Sequence, residues 1–209
     1  MKFLFLSLVF VVQVHAARDD FSANINSAEN EKLGMSSRWS ALIKAAKVAK
    51  LEQVDHPEKL EQIRKFSESK EWYMRNASLV ALNKISPLIA MREAKKLIYD
   101  KSLVVRSAAV EIISTNLSEE NKTILASEMT KAYNFHKTSS LWIRKQIVEK
   151  MSLAASLSDR DFFIKGLFDS DSEIAHMSAR ILSKITGETI QGTRVVEKWQ
   201  ALVKQNKWL

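Results

Sequence analysis

Residues 102–116 constrain the fold of this chain more strongly than any other stretch. Within them Leu103, Val110 and Ile113 recur at spacings of seven and three residues, which places these side chains on one face of an α-helix. A helix of this length is too apolar to stand alone in water and too short to form a core by itself. It therefore needs helices of the same kind on either side.

Near-copies of this helix occur along the chain. Five helical stretches align on one column, at spacings of 31 to 38 residues, and the column consists of Arg38, Arg75, Arg106, Arg144 and His176. Positions three, four and seven residues after this column are mostly apolar or small, as expected where a helix packs against its neighbours. The last copy drifts towards polar residues, which suits the end of an array that faces water. We predict a row of paired helices, with these five as the second helix of each pair.

Composition favours short connections between the helices. Only four glycines and two prolines occur among 209 residues, and 46% of the residues are hydrophobic, which is enough for one all-helical domain with a sizeable core. Pro57 and Pro87 suit helix starts, Ser118 and Ser158 suit N-terminal caps, and Gly187 suits a left-handed helix end. The predicted helices lie near residues 38–54, 57–68, 71–86, 88–99, 102–116, 118–134, 139–155, 158–168, 171–186 and 193–206.

The first sixteen residues, 1–16, have the pattern of a secretory signal peptide. Lys2 supplies a positive start, residues 3–12 form an apolar run, and a cut is predicted between Ala16 and Ala17. The run is about half the roughly 20 residues that a membrane-spanning helix needs, so no stable membrane anchor is expected after cleavage. Because the chain has no cysteine, it fits a bacterial periplasm more easily than a eukaryotic secretory route. We therefore predict a periplasmic or secreted protein, with a bacterial source favoured.

The stretch that follows the signal peptide has little pattern. Residues 17–36 are polar, and we predict a flexible lead-in there with a short helix near residues 28–33. The repeat domain is predicted to occupy residues 37–209.

One copy of the repeat carries a family motif. Asp100 is followed by Val-Arg-Ser-Ala-Ala at residues 105–109, with looser versions at residues 74–78 and 142–144, whereas His176 replaces the arginine of the last copy. Over most of its length after the signal peptide, the chain resembles the HEAT-repeat family, in particular its short bacterial secreted form. The resemblance implies a right-handed α-solenoid of about four to five HEAT-like helix pairs. It implies no particular activity, because this architecture serves many unrelated binding roles.

The arginine column has two interpretations. Its cations could form a stripe for an anionic ligand, or each arginine could pair with acids and carbonyl groups in the neighbouring turn. Asp100, Asp169 and Asp171 lie within reach of the turns in question. We favour the second interpretation, because the stability of a solenoid depends on contacts between adjacent repeats.

In helical solenoids the second helices line the concave face, so their outward positions are the predicted binding surface. These positions lie one, five and eight residues after each residue of the column, beginning with the copy that contains Arg75. They hold short polar groups, two acids and few cations. Such a groove suits a protein or peptide partner better than a phosphate track, although it could also bind nothing. The predicted partner-binding residues are Asn76, Asn83, Ser107, Glu111, Ser114, Lys145, Glu149 and Lys184.

The alternative partner is nucleic acid or another anionic polymer, bound through a basic and tryptophan-rich surface. The net charge is +8, and Trp39, Trp72 and Trp142 could form an aromatic patch near the starts of second helices. These rings could instead fill gaps between helix ends, and Trp199 and Trp208 are expected to seal the C-terminal end. Most cations lie on predicted first helices with acids close by, and a signal peptide takes the chain away from the genome. Nucleic acid is therefore the less favoured partner.

Residues for catalysis or metal binding do not cluster in the sequence. There is no cysteine, and the histidines after the signal peptide, His56, His136 and His176, have no ligand-type residue three or four positions further on. No His-Glu-x-x-His motif and no glycine-rich phosphate loop occurs. We predict a non-catalytic protein without a cofactor, a metal ion or catalytic residues.

Overall fold

The computed structural model describes residues 20–51, 57–137 and 139–208. The predicted signal peptide and its cleavage site lie outside these residues. Within them the chain is helical almost throughout, as the composition predicts. The helices are α1 (20–29), α2 (Met35–Leu51), α3 (Pro57–Lys65), α4 (Trp72–Ile85), α5 (Pro87–Leu97), α6 (Leu103–Ile113), α7 (Glu119–Met129), α8 (Trp142–Ser152), α9 (Arg160–Leu167), α10 (Ser172–Thr186) and α11 (Val195–Gln205).

All ten helices predicted from the sequence are present, most of them one to three residues shorter at one or both ends. Pro57 and Pro87 are the first residues of α3 and α5, where a missing N–H costs nothing. The Ser118 side chain accepts a hydrogen bond from the Asn121 N–H at the start of α7. Gly187 ends α10 with a φ of 78°, which is the left-handed cap that the sequence indicates.

One predicted cap is wrong. Ser158 lies inside a 3-10 turn, Leu157–Asp159, that precedes α9. The capping box there is formed by Ser156 and Asp159, and Asp159 Oδ2 accepts the Ser156 N–H at 2.9 Å. The helical turn therefore starts two residues before the predicted position. Ser158 and Asp161 have the same capping-box spacing, but Asp159 is the acid that is buried, where Lys122 binds it.

The N-terminal stretch is also more ordered than the sequence indicates. The prediction of a short helix near residues 28–33 is wrong, because α1 ends at residue 29 and a turn follows it. Phe21, Ile25 and Ala28 recur at spacings of four and three and are buried in the core. The Lys59 ammonium group lies 5.0 Å from the centre of the Phe21 ring. Three buried apolar residues are thus enough to hold α1 in place, although the sequence of this helix is mostly polar.

The connection between α7 and α8 departs from the helical repeat. A 3-10 turn, Ala132–Asn134, follows α7, and two short strands, β1 (Phe135–His136) and β2 (Ser139–Ser140), pair antiparallel before α8. The buried Asn134 amide donates hydrogen bonds to the backbone and side-chain oxygens of Glu128, each at 2.8 Å. The Asn134 side chain competes with the backbone hydrogen bonds of a longer helix, so α7 ends earlier than predicted.

The chain divides into two compact units, Met1–Ile112 (unit 1) and Ile113–Leu209 (unit 2). In unit 1, α2 packs along α4, and α4 packs against α3 and α5. The fully buried side chains of its core include Leu42, Met74 and Leu82. The apolar faces of α2 and α4 therefore cover one another and are covered further by first helices.

Unit 2 is built in the same way and closed by the last helix. Its most extensive packing joins α9 to α10, and α8 packs against α7 and α10. Trp199 of α11 is fully buried, and its indole N–H donates a hydrogen bond to Ser183 Oγ at 3.2 Å. Trp199 therefore covers α10 at the C-terminal end, as predicted.

Candidate binding surface of the second helices

The arginine column lies in the interior. The four arginine residues are only 3% to 6% exposed. In α2, Arg38 Nη1 donates hydrogen bonds to Glu71 Oε2 at 2.6 Å and to the Tyr73 hydroxyl at 2.9 Å. Its Nε donates to the Ala28 carbonyl of α1 at 2.8 Å. Arg38 therefore joins three elements of unit 1.

Arg75 of α4 has the most complete set of partners. Its Nε and Nη2 donate to the two carboxylate oxygens of Asp100 at 2.6 and 2.7 Å, and its Nη1 donates to the carbonyls of Ser69 and Lys70 at 2.8 and 3.0 Å. Arg106 of α6 makes the same pair of carbonyl contacts, six and five residues before it, at 2.7 and 3.2 Å. The two arginines thus bind the turn that leads into their own helix in the same way.

Arg144 repeats the pairing with an acid in unit 2, with other partners in place of the two carbonyls. Its guanidinium group forms a two-pronged ion pair with Asp169, donates to Ser140 Oγ, and donates to the Met129 carbonyl at 3.0 Å. The Phe135 ring lies 4.1 Å from the guanidinium carbon. His176, in the last copy, is exposed and its Nδ1 lies 2.6 Å from the Ser172 carbonyl. The column therefore changes from buried arginine to surface histidine in α10.

These contacts favour the structural interpretation of the arginine column. Arg38, Arg75 and Arg144 each bind an acid that directly precedes the next second helix, namely Glu71, Asp100 and Asp169. Because these guanidinium groups are buried and fully engaged, they do not present charge at the surface for a ligand.

A second buried ion pair joins two first-helix segments of unit 2, where the sequence indicates solvated cations. Lys122 Nζ donates to Asp159 Oδ2 at 2.8 Å, and both side chains are less than 10% exposed. Burial alone would raise the pKa of Asp159, but hydrogen bonds from Lys122 and Ser156 outweigh it and hold this pKa below its ordinary value. Lys122 is therefore a structural residue rather than part of a basic surface.

We expect this pair to make unit 2 acid-sensitive. Because the pKa of Asp159 is lower in the folded state, its contribution to stability is present above its ordinary value of 3.8 and is lost as the pH falls through the folded value. Urea unfolding across an acid pH series measures this loss. In the Asp159→Asn variant the free energy of unfolding should be lower at neutral pH and should vary less with pH. Parallel pH curves for the two proteins would contradict the assignment.

The predicted partner-binding residues are only partly accessible. Four of them are exposed, three are half-buried and one is buried: the exposed ones are Asn83, Glu111, Glu149 and Lys184, the half-buried ones Asn76, Ser114 and Lys145, and the buried one Ser107. Asn76 and Asn83 lie on one strip of α4. Ser107 is only 9% exposed, so little of its side chain is accessible to a partner.

Lys145 is already engaged within unit 2. Its Nζ lies 2.6 Å from Glu173 Oε2 and 3.7 Å from Asp171 Oδ2. The hydrogen bond to Glu173 raises the pKa of Lys145. A partner would have to displace these acids from the lysine, so Lys145 is a weaker binding residue than its position in the sequence indicates.

The structure adds residues of α2 that the columns counted from Arg75 omit. Trp39 and Ile43 lie one and five residues after Arg38, and both are half-buried. The Trp39 indole N–H donates to Asn76 Oδ1 at 3.5 Å, which places the two side chains on the same side of α2 and α4. Counting the columns from Arg38 would have found both residues.

Together these side chains form one surface of unit 1, the α2–α4 face. Its apolar part is formed by half-exposed or half-buried side chains, and lysines lie at the C-terminal ends of the two helices. The α2–α4 face comprises Met35, Trp39, Ile43, Lys47 and Lys50 on α2, and Trp72, Asn76, Val80, Asn83 and Lys84 on α4.

Two of the tryptophans do not fill the interior. Trp72 and Trp142 are 42% and 50% exposed at the first positions of α4 and α8. The Trp72 ring packs edge-on against Tyr73, with 6.1 Å between ring centres. Trp39 and Trp72 share the α2–α4 face of unit 1, so an aromatic contact surface exists there.

No protein-family model matches this chain, and no curated protein matches it. Among the residues that the structure describes, no group of three or more carboxylate and imidazole side chains is arranged to hold a metal ion. The same residues include no helix with the length and hydropathy to cross a membrane.

Proposed function

We propose that this protein is a non-catalytic helical-repeat scaffold that binds a protein or peptide on the outward side of its second helices. The arrangement proposed for the helix pairs of each unit is a HEAT-like, right-handed α-solenoid. One observation carries the proposal: buried arginine–acid links connect consecutive second helices and occupy their inner sides. Each of these helices keeps a strip of side chains outside the core.

The direction of the helices supports a solenoid over a closed bundle. Arg38 and Trp39, near the start of α2, contact Glu71 and Asn76, near the start of α4. Neighbouring second helices of unit 1 therefore begin at the same end, whereas adjacent helices of an up-and-down bundle run in opposite directions. An experimental structure with antiparallel neighbouring second helices would overturn this part of the proposal.

The proposed location is a periplasm or the outside of the cell, and it rests on the signal-peptide pattern of the first sixteen residues. Expression of the whole chain in a bacterium, followed by cell fractionation and N-terminal sequencing, tests the location. A periplasmic protein that starts at Ala17 is expected, and a cytoplasmic protein that retains Lys2 would contradict it.

Selection of random displayed peptides on the folded protein tests the binding function. We expect enrichment of a family of peptides that compete with one another for one surface, because a groove of fixed side chains selects one kind of segment. The heat-unfolded protein is the matched control. Failure to enrich any peptide, while circular dichroism shows the native helix content, would contradict a peptide-binding function.

A further inference from the structure

We infer that the α2–α4 face of unit 1 binds an acidic amphipathic segment of a protein partner, with apolar side chains against Trp39 and Trp72 and carboxylates against the lysines at the C-terminal ends of the two helices. This inference rests on the proposed function and specifies the chemistry of the partner.

The first step is that the side chains of this face lie on one surface. Trp39 and Ile43 are four residues apart on α2, and Asn76 and Val80 are four residues apart on α4, so each pair forms one strip of its helix. The hydrogen bond from Trp39 to Asn76 places the two strips side by side. The strips are parallel because the two helices begin at the same end.

The second step is that the N-terminal part of the face is apolar and open. Met35 is 51% exposed and Trp72 is 42% exposed, while Trp39, Ile43 and Val80 are half-buried between them. Exposed aromatic and methionine side chains of this kind are the residues that protein interfaces favour. An apolar side chain of a partner would remove them from water.

The third step is that the C-terminal part carries lysines that no described acid neutralises. The described sequences of α2 and α4 contain no acidic residue, and their buried arginines are already bound to Glu71 and Asp100. Lys47, Lys50 and Lys84 are exposed and form no ion pair with any described residue. Glu111, on the neighbouring helix α6, already has an interaction of its own. Carboxylates of a partner are the complementary groups for these lysines.

The distribution of charge favours a polypeptide over a nucleic acid. A phosphate backbone needs cations along its whole path, whereas these lysines lie only at one end, beyond the aliphatic side chains of Ile43 and Val80. Trp39 and Lys47 are eight residues apart, which is about 12 Å along a helix. This distance corresponds to about four residues of an extended peptide between its apolar anchor and its acid.

Charge reversal tests the inference on the selected peptides. Enriched peptides should combine aromatic or aliphatic residues with net negative charge. The Lys47→Glu/Lys84→Glu variant should bind them at least about tenfold more weakly in calorimetry, and the loss should shrink in high salt. The control is Lys44→Glu/Lys65→Glu, which changes the net charge equally. Lys44 borders the α1 side of α2 and Lys65 ends α3, so this variant should bind normally.

A second pair of variants tests the apolar anchor. Trp72→Gln should weaken binding at least about tenfold, because it removes an exposed ring from the α2–α4 face. Trp142→Gln removes a somewhat more exposed ring from unit 2 and should leave the affinity unchanged. Circular dichroism confirms that each variant is folded.

The outcomes separate this inference from the proposed function. Enrichment of basic or uncharged peptides, or unchanged affinity in Lys47→Glu/Lys84→Glu, would overturn the acidic partner and leave a peptide-binding protein. Tighter binding of a single-stranded oligothymidylate than of any selected peptide would overturn both in favour of a nucleic-acid partner. No enrichment at all would contradict the proposed function itself.

Discussion

Replacing Arg75 with alanine should lower the free energy of unfolding by about 3–5 kcal/mol, the range for breaking a buried ion pair from one side. The variant leaves the Asp100 carboxylate without its two guanidinium hydrogen bonds, and it leaves the Ser69 and Lys70 carbonyls without a donor. Because the Arg75 and Asp100 side chains are both less than 10% exposed, water can replace these partners only if the turn opens. Urea denaturation followed by circular dichroism measures the change.

Two further variants test whether the loss of stability comes from the buried carboxylate that is left without its arginine. Arg92 has a 63% exposed side chain, and Arg92→Ala should cost less than about 1 kcal/mol. Arg75→Met/Asp100→Asn removes both charges and should recover part of the stability lost in Arg75→Ala. A destabilisation by Arg75→Ala no larger than that by Arg92→Ala would show that the arginine contacts do not hold adjacent second helices together.

The helices could be predicted from the sequence because each one has its own apolar periodicity. That signal is local, so every helix from α2 to α11 is visible without knowledge of its neighbours. Where the pattern is sparse the prediction fails. In α1 only Phe21, Ile25 and Ala28 are apolar on the buried face. The polar residues between them are more numerous, so the helical periodicity is not recognised.

The ion pairs could be predicted only in part, because their members are distant in the sequence. Burial of the arginine column follows from its place beside the apolar positions, but its acids lie 25 to 33 residues away along the chain. Asp100 and Asp169 were recognisable as candidates from the turns that hold them. Lys122 was not, because its partner Asp159 is 37 residues away on another element. Which cation is buried depends on tertiary packing.

The sequence predicts a binding surface on the second helices, and the structure shows only how accessible each of the predicted side chains is. The positions counted from Arg75 include Asn83, which is exposed, Asn76, which is half-buried, and Ser107, which is buried. Exposure at a given column varies between helices because the neighbouring side chains differ in size. Trp39 and Lys47 belong to the first aligned helix, α2, where the same counting from Arg38 identifies the strip that they share.

Gly166 of α9 should be intolerant of any side chain, and Gly166→Ala is expected to lower the free energy of unfolding by about 2 kcal/mol. A Cβ atom at this position would lie 2.2 Å from Ser178 Oγ and 3.1 Å from Ser178 Cβ. Ser178 is fully buried on α10, so the overlap is relieved only by forcing its hydroxyl into another rotamer within the packed core or by moving α9 away from α10. This steric cost exceeds the gain of up to about 1 kcal/mol that alanine brings to a helix interior.

A double-mutant cycle identifies the contact responsible. The Ser178 hydroxyl has no hydrogen-bond partner among the described residues, so Ser178→Ala alone should be neutral or slightly stabilising. In Gly166→Ala/Ser178→Ala the nearest remaining atom is the 178 Cβ at 3.1 Å, which a shift of a few tenths of an ångström relieves, and most of the stability should return. Gly34→Ala is the control, because nothing lies within 4 Å of its Cβ position. Equal effects of Gly166→Ala with and without the Ser178 hydroxyl would show that α9 and α10 do not pack this closely, and would remove the strongest constraint on how a first helix sits against its second helix in unit 2.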